Sequence, residues 1–127
     1  MGITTPSDRV YSESHEWHKV EGEIVTLGLT AFAVDQLTDV TYVQMKPAGT
    51  KFKAGESIGE VESVKTTSDV YSAVGGEITE VNAAAVEDPS LLNTDPYGKG
   101  WLVKIRMSDS SGLGRCMDKA KYDSTSH

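Results

Sequence analysis

Apolar positions recur at short, strand-like spacing along most of the chain. The stretch "EWHKVEGEIVTLGLT" predicts two strands joined near Glu21-Gly22, with Trp17 and Val20 before the turn and Ile24, Val25 and Leu27 after it. The period lengthens in "AFAVDQL", where Phe32, Ala33, Val34 and Leu37 share one side of two helical turns and Thr30 supplies a cap. "DVTYVQM" returns to strand, with Val40 and Tyr42 facing away from Thr41 and Val43, and Pro47-Ala48-Gly49 ends it. "ESIGEVESV" and "DVYSAV" form two strand-like arms around Lys65, and "GEITEVN" follows a predicted Gly75-Gly76 turn. Glu87 to Leu92 is expected to form a short helix, and Asp95-Pro96-Tyr97-Gly98 a turn. "GWLVKIRM" gives a last strand with Trp101, Val103 and Ile105 on one side. Beyond Ser111, Leu113, Cys116, Met117 and Ala120 have helical spacing, and Asp123 to His127 reads as a frayed end.

Many short strands, repeated turns and little strand–helix alternation predict a mainly β fold, a sandwich or half-open barrel with a short internal helix and a C-terminal helix. One domain is expected over residues 1–127, its core at about 10–108 and its terminal helical region at about 111–123. "GTKFKAGESIGEVESV" and "SAVGGEITEVNAAAV" each place a glycine pair or turn before an apolar-patterned strand, as two similar halves would.

Charge and cysteine content narrow the function classes. Nineteen acidic against twelve basic residues give a net charge of −7, which disfavours nucleic acid and anionic membranes as partners. Cys116 is the single cysteine, so no internal disulfide and no cysteine-based metal site is expected. No long apolar run predicts a membrane span or secretory leader, and a cytoplasmic protein is the expectation for a bacterial chain.

The candidate chemistry centres on Lys65, between the two arms in "ESVKTTSD". A rigid hairpin tip would project its long stem into water, which suits covalent modification by another enzyme; an ordinary solvated lysine is the plainer reading. Schiff-base catalysis would need a lowered pKa, and nearby Glu62 and Asp69 would stabilise the ammonium instead. In "SHEWH", His15 and His18 would point to opposite faces of a strand, a poor chelating geometry. Trp17, Trp101 and Cys116 read as core, and Gly49, Gly55, Gly75 and Gly76 as turn residues. No nucleophile elbow or phosphate loop is present.

"GEVESVKTTSDVYSAVGGEITEVN" resembles the lipoylation segment of the glycine cleavage system H proteins, and "SHEW", "LGLTAFAVDQLTDVTYV" and "LLNTDPYGKGWLVKI" follow in the family's order. The chain departs from that pattern at Ala73 and Gly75, where "SAVGG" replaces a "SPVSG"-like turn, and in its C-terminal "LGRCMDKAKY". The resemblance implies a lipoyl-domain-like barrel-sandwich hybrid and a non-catalytic carrier with lipoic acid amide-linked to Lys65. It implies a monomer that visits a pyridoxal-phosphate glycine decarboxylase (P protein), a tetrahydrofolate-dependent aminomethyltransferase (T protein) and a dihydrolipoamide dehydrogenase (L protein), after modification by a lipoate ligase or lipoyl transferase. A mature eukaryotic member would lie in the mitochondrial matrix.

The resemblance also carries an arm-docking cleft over to Ser14, Glu16 and Asp69, with carboxylates attracting a cationic amine and the hydroxyl bonding to it. No metal site and no catalytic residue is implied. A lipoyl domain of a 2-oxo-acid dehydrogenase would use the same lysine chemistry but resembles a shorter, linker-attached module. A biotin carrier would place methionines beside the lysine, where this chain has Val64 and Thr66. An H-like lipoyl relay outside glycine cleavage remains open at this point.

Overall fold

A computed structural model describes residues 5–125. The strands are β1 (Val10–Tyr11), β2 (Glu16–Glu21), β3 (Ile24–Leu29), β4 (Val40–Met45), β5 (Lys51–Phe52), β6 (Ser57–Ser63), β7 (Thr67–Tyr71), β8 (Gly75–Val81) and β9 (Val103–Asp109). The α-helices are α1 (Ala31–Leu37), α2 (Ala83–Glu87), α3 (Leu91–Thr94) and α4 (Lys119–Ser124), with a 3₁₀ helix at Ser111–Arg115. A six-stranded sheet has the order β1-β2-β3-β9-β8-β5, and a three-stranded sheet the order β4-β6-β7. The fold is thus mainly β, two unclosed sheets with short helices.

Alternation decides which residues meet between the sheets. Val25 and Leu27 from β3, Ile78 from β8 and Val103 and Ile105 from β9 join Val43, Ile58, Val61 and Val70 of the smaller sheet in one buried cluster. Each such side chain contributes about 1.5–3 kcal/mol of burial energy. Thr30 Oγ1 accepts the Ala33 N–H at 3.2 Å and starts α1, which adds Val34 and Leu37 to this core. A second cluster of Tyr11, Trp17, Met117 and Tyr122 closes the other side of β2. There the Trp17 indole lies over Gly28, its cross-strand partner, where an added Cβ would stand 2.7 Å from the ring.

Several local expectations are corrected. The β4–β6 register shifts between Val40 and Tyr42, so Val40 and Val43 both face the core while Thr41 and Tyr42 are exposed. Gly75 and Gly76 are buried inside β8, not in a turn, and a Cβ on Gly76 would run into the Arg106 carbonyl oxygen of β9. Gly49 and Gly55, by contrast, sit in turns at φ +94° and +88°. The Glu87–Leu92 helix is replaced by α2 and α3 on either side of Asp88-Pro89, because proline lacks the N–H a continuous helix needs and disfavours helical backbone before it. Helical spacing beyond Ser111 breaks at Cys116, which is extended, and at Met117, whose backbone pairs with Tyr11. Trp101 is only half-buried and precedes β9, packing against the second cluster. The expected frayed end is helical through Ser124 within α4, and His127 lies outside the described residues.

Candidate functional site at the β6–β7 hairpin

Lys65 stands at the tip between β6 and β7, whose register pairs Glu62 with Thr67. Ser63 builds the tip. Its Oγ accepts the N–H groups of Lys65 at 3.1 Å and Thr66 at 3.0 Å, and donates to the Thr66 carbonyl at 3.1 Å. The Ser63 N–H donates to the same carbonyl at 2.8 Å, and the Val64 N–H reaches the Asp39 carbonyl at 3.2 Å. A short side chain that bonds its own backbone two and three residues on is the device that lets so tight a turn satisfy its donors. Val64, Lys65 and Thr66 are all exposed, and among the described residues no carboxylate lies within ion-pair distance of the Lys65 ammonium.

Beside the tip runs a cleft of about 280 Å³ between the turn before β2, helix α1 and the start of β7. Leu29, Phe32, Ala33 and Leu37 give it an apolar wall, and Ser14 and Asp69 put polar groups in the same lining. It begins at Thr66, the residue after Lys65. Ser14 and Asp69 therefore line the same cleft.

Glu16 is placed differently. It is 1 % exposed and absent from the cleft lining, packed beneath Ser14. Its Oε1 accepts from Ser12 at 2.7 Å and from Ser14, and its Oε2 accepts the Tyr71 N–H at 3.0 Å. Burial raises its pKa above the ordinary carboxylate value, and the donors from Ser14, Ser12 and Tyr71 pull it back. Glu16 thus ties the turn before β2 to the end of β7 and fixes the position of the Ser14 hydroxyl. Asp69 is exposed and accepts from the Tyr71 hydroxyl at 3.3 Å, and its charge raises the tyrosine's pKa.

Three further residues, Tyr71, His15 and His18, shape the surroundings of the site. Tyr71 follows Asp69 by two positions, so strand alternation alone would have put both on one face. His15 has left-handed backbone at φ +69° in the turn before β2, outside the strand that would have fixed its direction. Its ring lies 4.6 Å from that of Phe32, and its Nδ1 shares a 2.8 Å hydrogen bond with the Tyr122 hydroxyl, which also meets Thr30 Oγ1 at 2.8 Å. The C-terminal helix α4 thereby holds one wall of the cleft from behind. His18 is fully buried, and its Nε2 accepts the Ala73 N–H at 3.1 Å. Burial pushes its pKa down to about 4, against a smaller upward pull from the Glu16 backbone. The departure at Ala73 has a structural consequence: a proline there would have no N–H to give His18.

Among the described residues no three His, Cys, Asp or Glu side chains gather as a metal site. Cys116 is half-buried, with its thiol directed to the Gly112 carbonyl at 3.6 Å and its pKa raised by burial, so the core position expected for it is only partly realised.

Comparison with known proteins fits this geometry. The family described as Glycine cleavage H-protein matches residues 9–127. The Glycine cleavage system H protein of Symbiobacterium thermophilum is 46% identical over 118 residues, covering 93% of this chain and 92% of that protein. That of Thermus thermophilus is 44% identical over 117 residues, covering 92% and 91%. The crystal structure of a glycine cleavage system H protein from Mycobacterium marinum superposes with a TM-score of 0.86 at 41% identity, covering 93% of this chain and 95% of that one. With the family matched over nearly the whole length and the same fold in a relative, the chain belongs to the glycine cleavage H-protein family.

Proposed function

We propose that the protein is the lipoyl carrier of a glycine cleavage system, with lipoate amide-linked to Lys65. The observation that carries this reading is the braced, solvent-projecting tip that presents Lys65 without an ion pair beside a cleft of mixed polarity. A modifying enzyme reaches such a side chain without unfolding the scaffold, and acylation removes a charge that no carboxylate of the described residues was neutralising. The cleft lining fits an alkyl arm with a polar end: apolar Leu29, Phe32, Ala33 and Leu37 along the wall, Ser14 and Asp69 within reach of a cationic group.

When attached, lipoate supplies a reversible disulfide/dithiol pair that takes up and hands on a one-carbon amine unit. The chain itself presents, shelters and releases. Through Lys65 it serves a pyridoxal-phosphate glycine decarboxylase, a tetrahydrofolate-dependent aminomethyltransferase and a dihydrolipoamide dehydrogenase in turn, and tethering raises the local concentration of the reactive group at whichever enzyme is docked. Asp69 offers negative charge to a bound amine, Ser14 offers a hydroxyl oriented by buried Glu16, and the Phe32 face excludes water.

A reconstituted assay tests this reading. Glycine turnover is expected only when the three enzymes and the lipoylated chain are all present, and Lys65→Arg should abolish it while leaving thermal unfolding within about 0.5 kcal/mol of the parent, as for an exposed tip residue. Full turnover with Lys65→Arg would refute it.

A further inference from the structure

The two walls of the cleft beside Lys65 come from separate elements. Ser14 and His15 stand in the turn before β2, and Phe32, Ala33 and Leu37 on α1. Neither wall is self-supporting. His15 holds a left-handed backbone that a residue with a Cβ seldom adopts unaided, and α1 has only 7 residues, too few for a helix to persist alone. Their backbones meet where the Thr30 N–H donates to the His15 carbonyl at 3.0 Å.

A side-chain link lies beside that bond, and a third element makes it. The Tyr122 hydroxyl of α4 is 2.8 Å from both His15 Nδ1 and Thr30 Oγ1, and Thr30 Oγ1 in turn accepts the Ala33 N–H. Tyr122 is 1 % exposed, with its ring stacked on Tyr11 at 4.8 Å. Burial pushes the phenol's pKa up to about 12, so it keeps its one proton. It therefore donates to one neighbour and accepts from the other. A neutral His15 can take either role; a charged His15 must donate, and Tyr122 then turns its proton to Thr30. The link holds in both charge states.

We propose, building on the carrier reading, that Tyr122 is a positioning residue for arm retention, its hydroxyl joining the two cleft walls from behind so that water stays away from a carried group. Tyr122 is not in the cleft lining, so it acts through His15 and the start of α1. Without its hydroxyl the His15 ring loses one restraint beside Phe32, whose ring lies 4.6 Å away, and the walls part more readily. Water that reaches the carried one-carbon amine breaks its bonds to sulfur and nitrogen. One water proton goes to each, and thiol, ammonium and formaldehyde form with no net oxidation.

The test compares Tyr122→Phe, which keeps the buried ring, with Tyr11→Phe. Tyr11 belongs to the same buried cluster, but its hydroxyl donates to the Pro6 carbonyl. Thermal unfolding confirms the fold of each variant. In NMR spectra of the unmodified chains, Tyr122→Phe should shift the His15 and Phe32 ring signals and speed exchange of the Ala33 amide, with Tyr11→Phe near the parent in all three. The lipoylated chains are then loaded by the decarboxylase with glycine and separated from it. Ammonium should form about fivefold faster from Tyr122→Phe, and within about twofold of the parent from Tyr11→Phe. Parental release from Tyr122→Phe, equal acceleration in Tyr11→Phe, or unmoved His15 and Phe32 signals would overturn the proposal. Failure of the carrier reading shows separately, as a parent chain that takes no lipoate on Lys65, whereas the spectra of the unmodified chains still decide whether Tyr122 joins the walls.

Discussion

Ser63, Glu16, Asp69 and His18 divide the work of the site among single side chains. Ser63 satisfies the donors of the tip so that Lys65 needs no contact of its own. Asp69 is the exposed charge of the cleft, and Glu16 acts from below by holding Ser14. Asp69→Asn is therefore expected to speed non-enzymatic release of the carried group from the loaded chain a few-fold, since one exposed charge contact is worth about 1 kcal/mol or less. Glu16→Gln should have the smaller effect, and neither should alter lipoylation. Release rates without the aminomethyltransferase decide this; if both variants match the parent, charge in the cleft does not retain the group.

His18 gives a pH signature. Its folded pKa, about 4, lies below the ordinary 6.5, so the stability it contributes is present above pH 6.5 and is lost as pH falls toward 4. The full loss is about 3 kcal/mol, of which about 2 has gone by pH 5. Glu16 has the opposite sign: its raised pKa gives stability below the ordinary 4.5 that is lost as pH rises through the folded value. Denaturant unfolding at pH 7.5 and 5 should show a smaller acid loss in His18→Gln, whose amide oxygen can still accept the Ala73 N–H without titrating. An identical pH dependence in parent and variant would rule His18 out as its source.

Among the elements, β8 is where residue identity and strand geometry are most tightly bound. A side chain at position 76 would meet the backbone of its neighbour β9, so Gly76→Ala must push apart these neighbouring strands of the larger sheet. A loss of about 2–4 kcal/mol is expected, read as a lower denaturant midpoint at unchanged slope. Periodicity made the β2–β3 hairpin, α1 and the arms around Lys65 legible, because each alternates or repeats over several residues. The same signal misplaced the inward face of β4, where one shifted register changes which side chains face inward. Two-residue strands β1 and β5 are too short to carry a pattern. The Cys116–Met117 break was hidden because its pairing partner, Tyr11, lies at the other end of the chain.

At the scale of the whole molecule, two sheets carry the β6–β7 hairpin, and a cleft of about 280 Å³ starts beside its tip at Thr66. Lys65 stood out in the sequence by its place between two strand-like arms, and Ser14 and Asp69 only through the family resemblance. The proposed carrier role depends on a single attachment point, Lys65, and that is what one measurement tests most directly. The purified chain is incubated with lipoate ligase, lipoate and ATP, then analysed by intact mass and peptide mapping. One lipoyl addition per chain is predicted, wholly on the peptide containing Lys65 and absent from Lys65→Arg. A modification on Lys99 or Lys104 with none on Lys65 would contradict it.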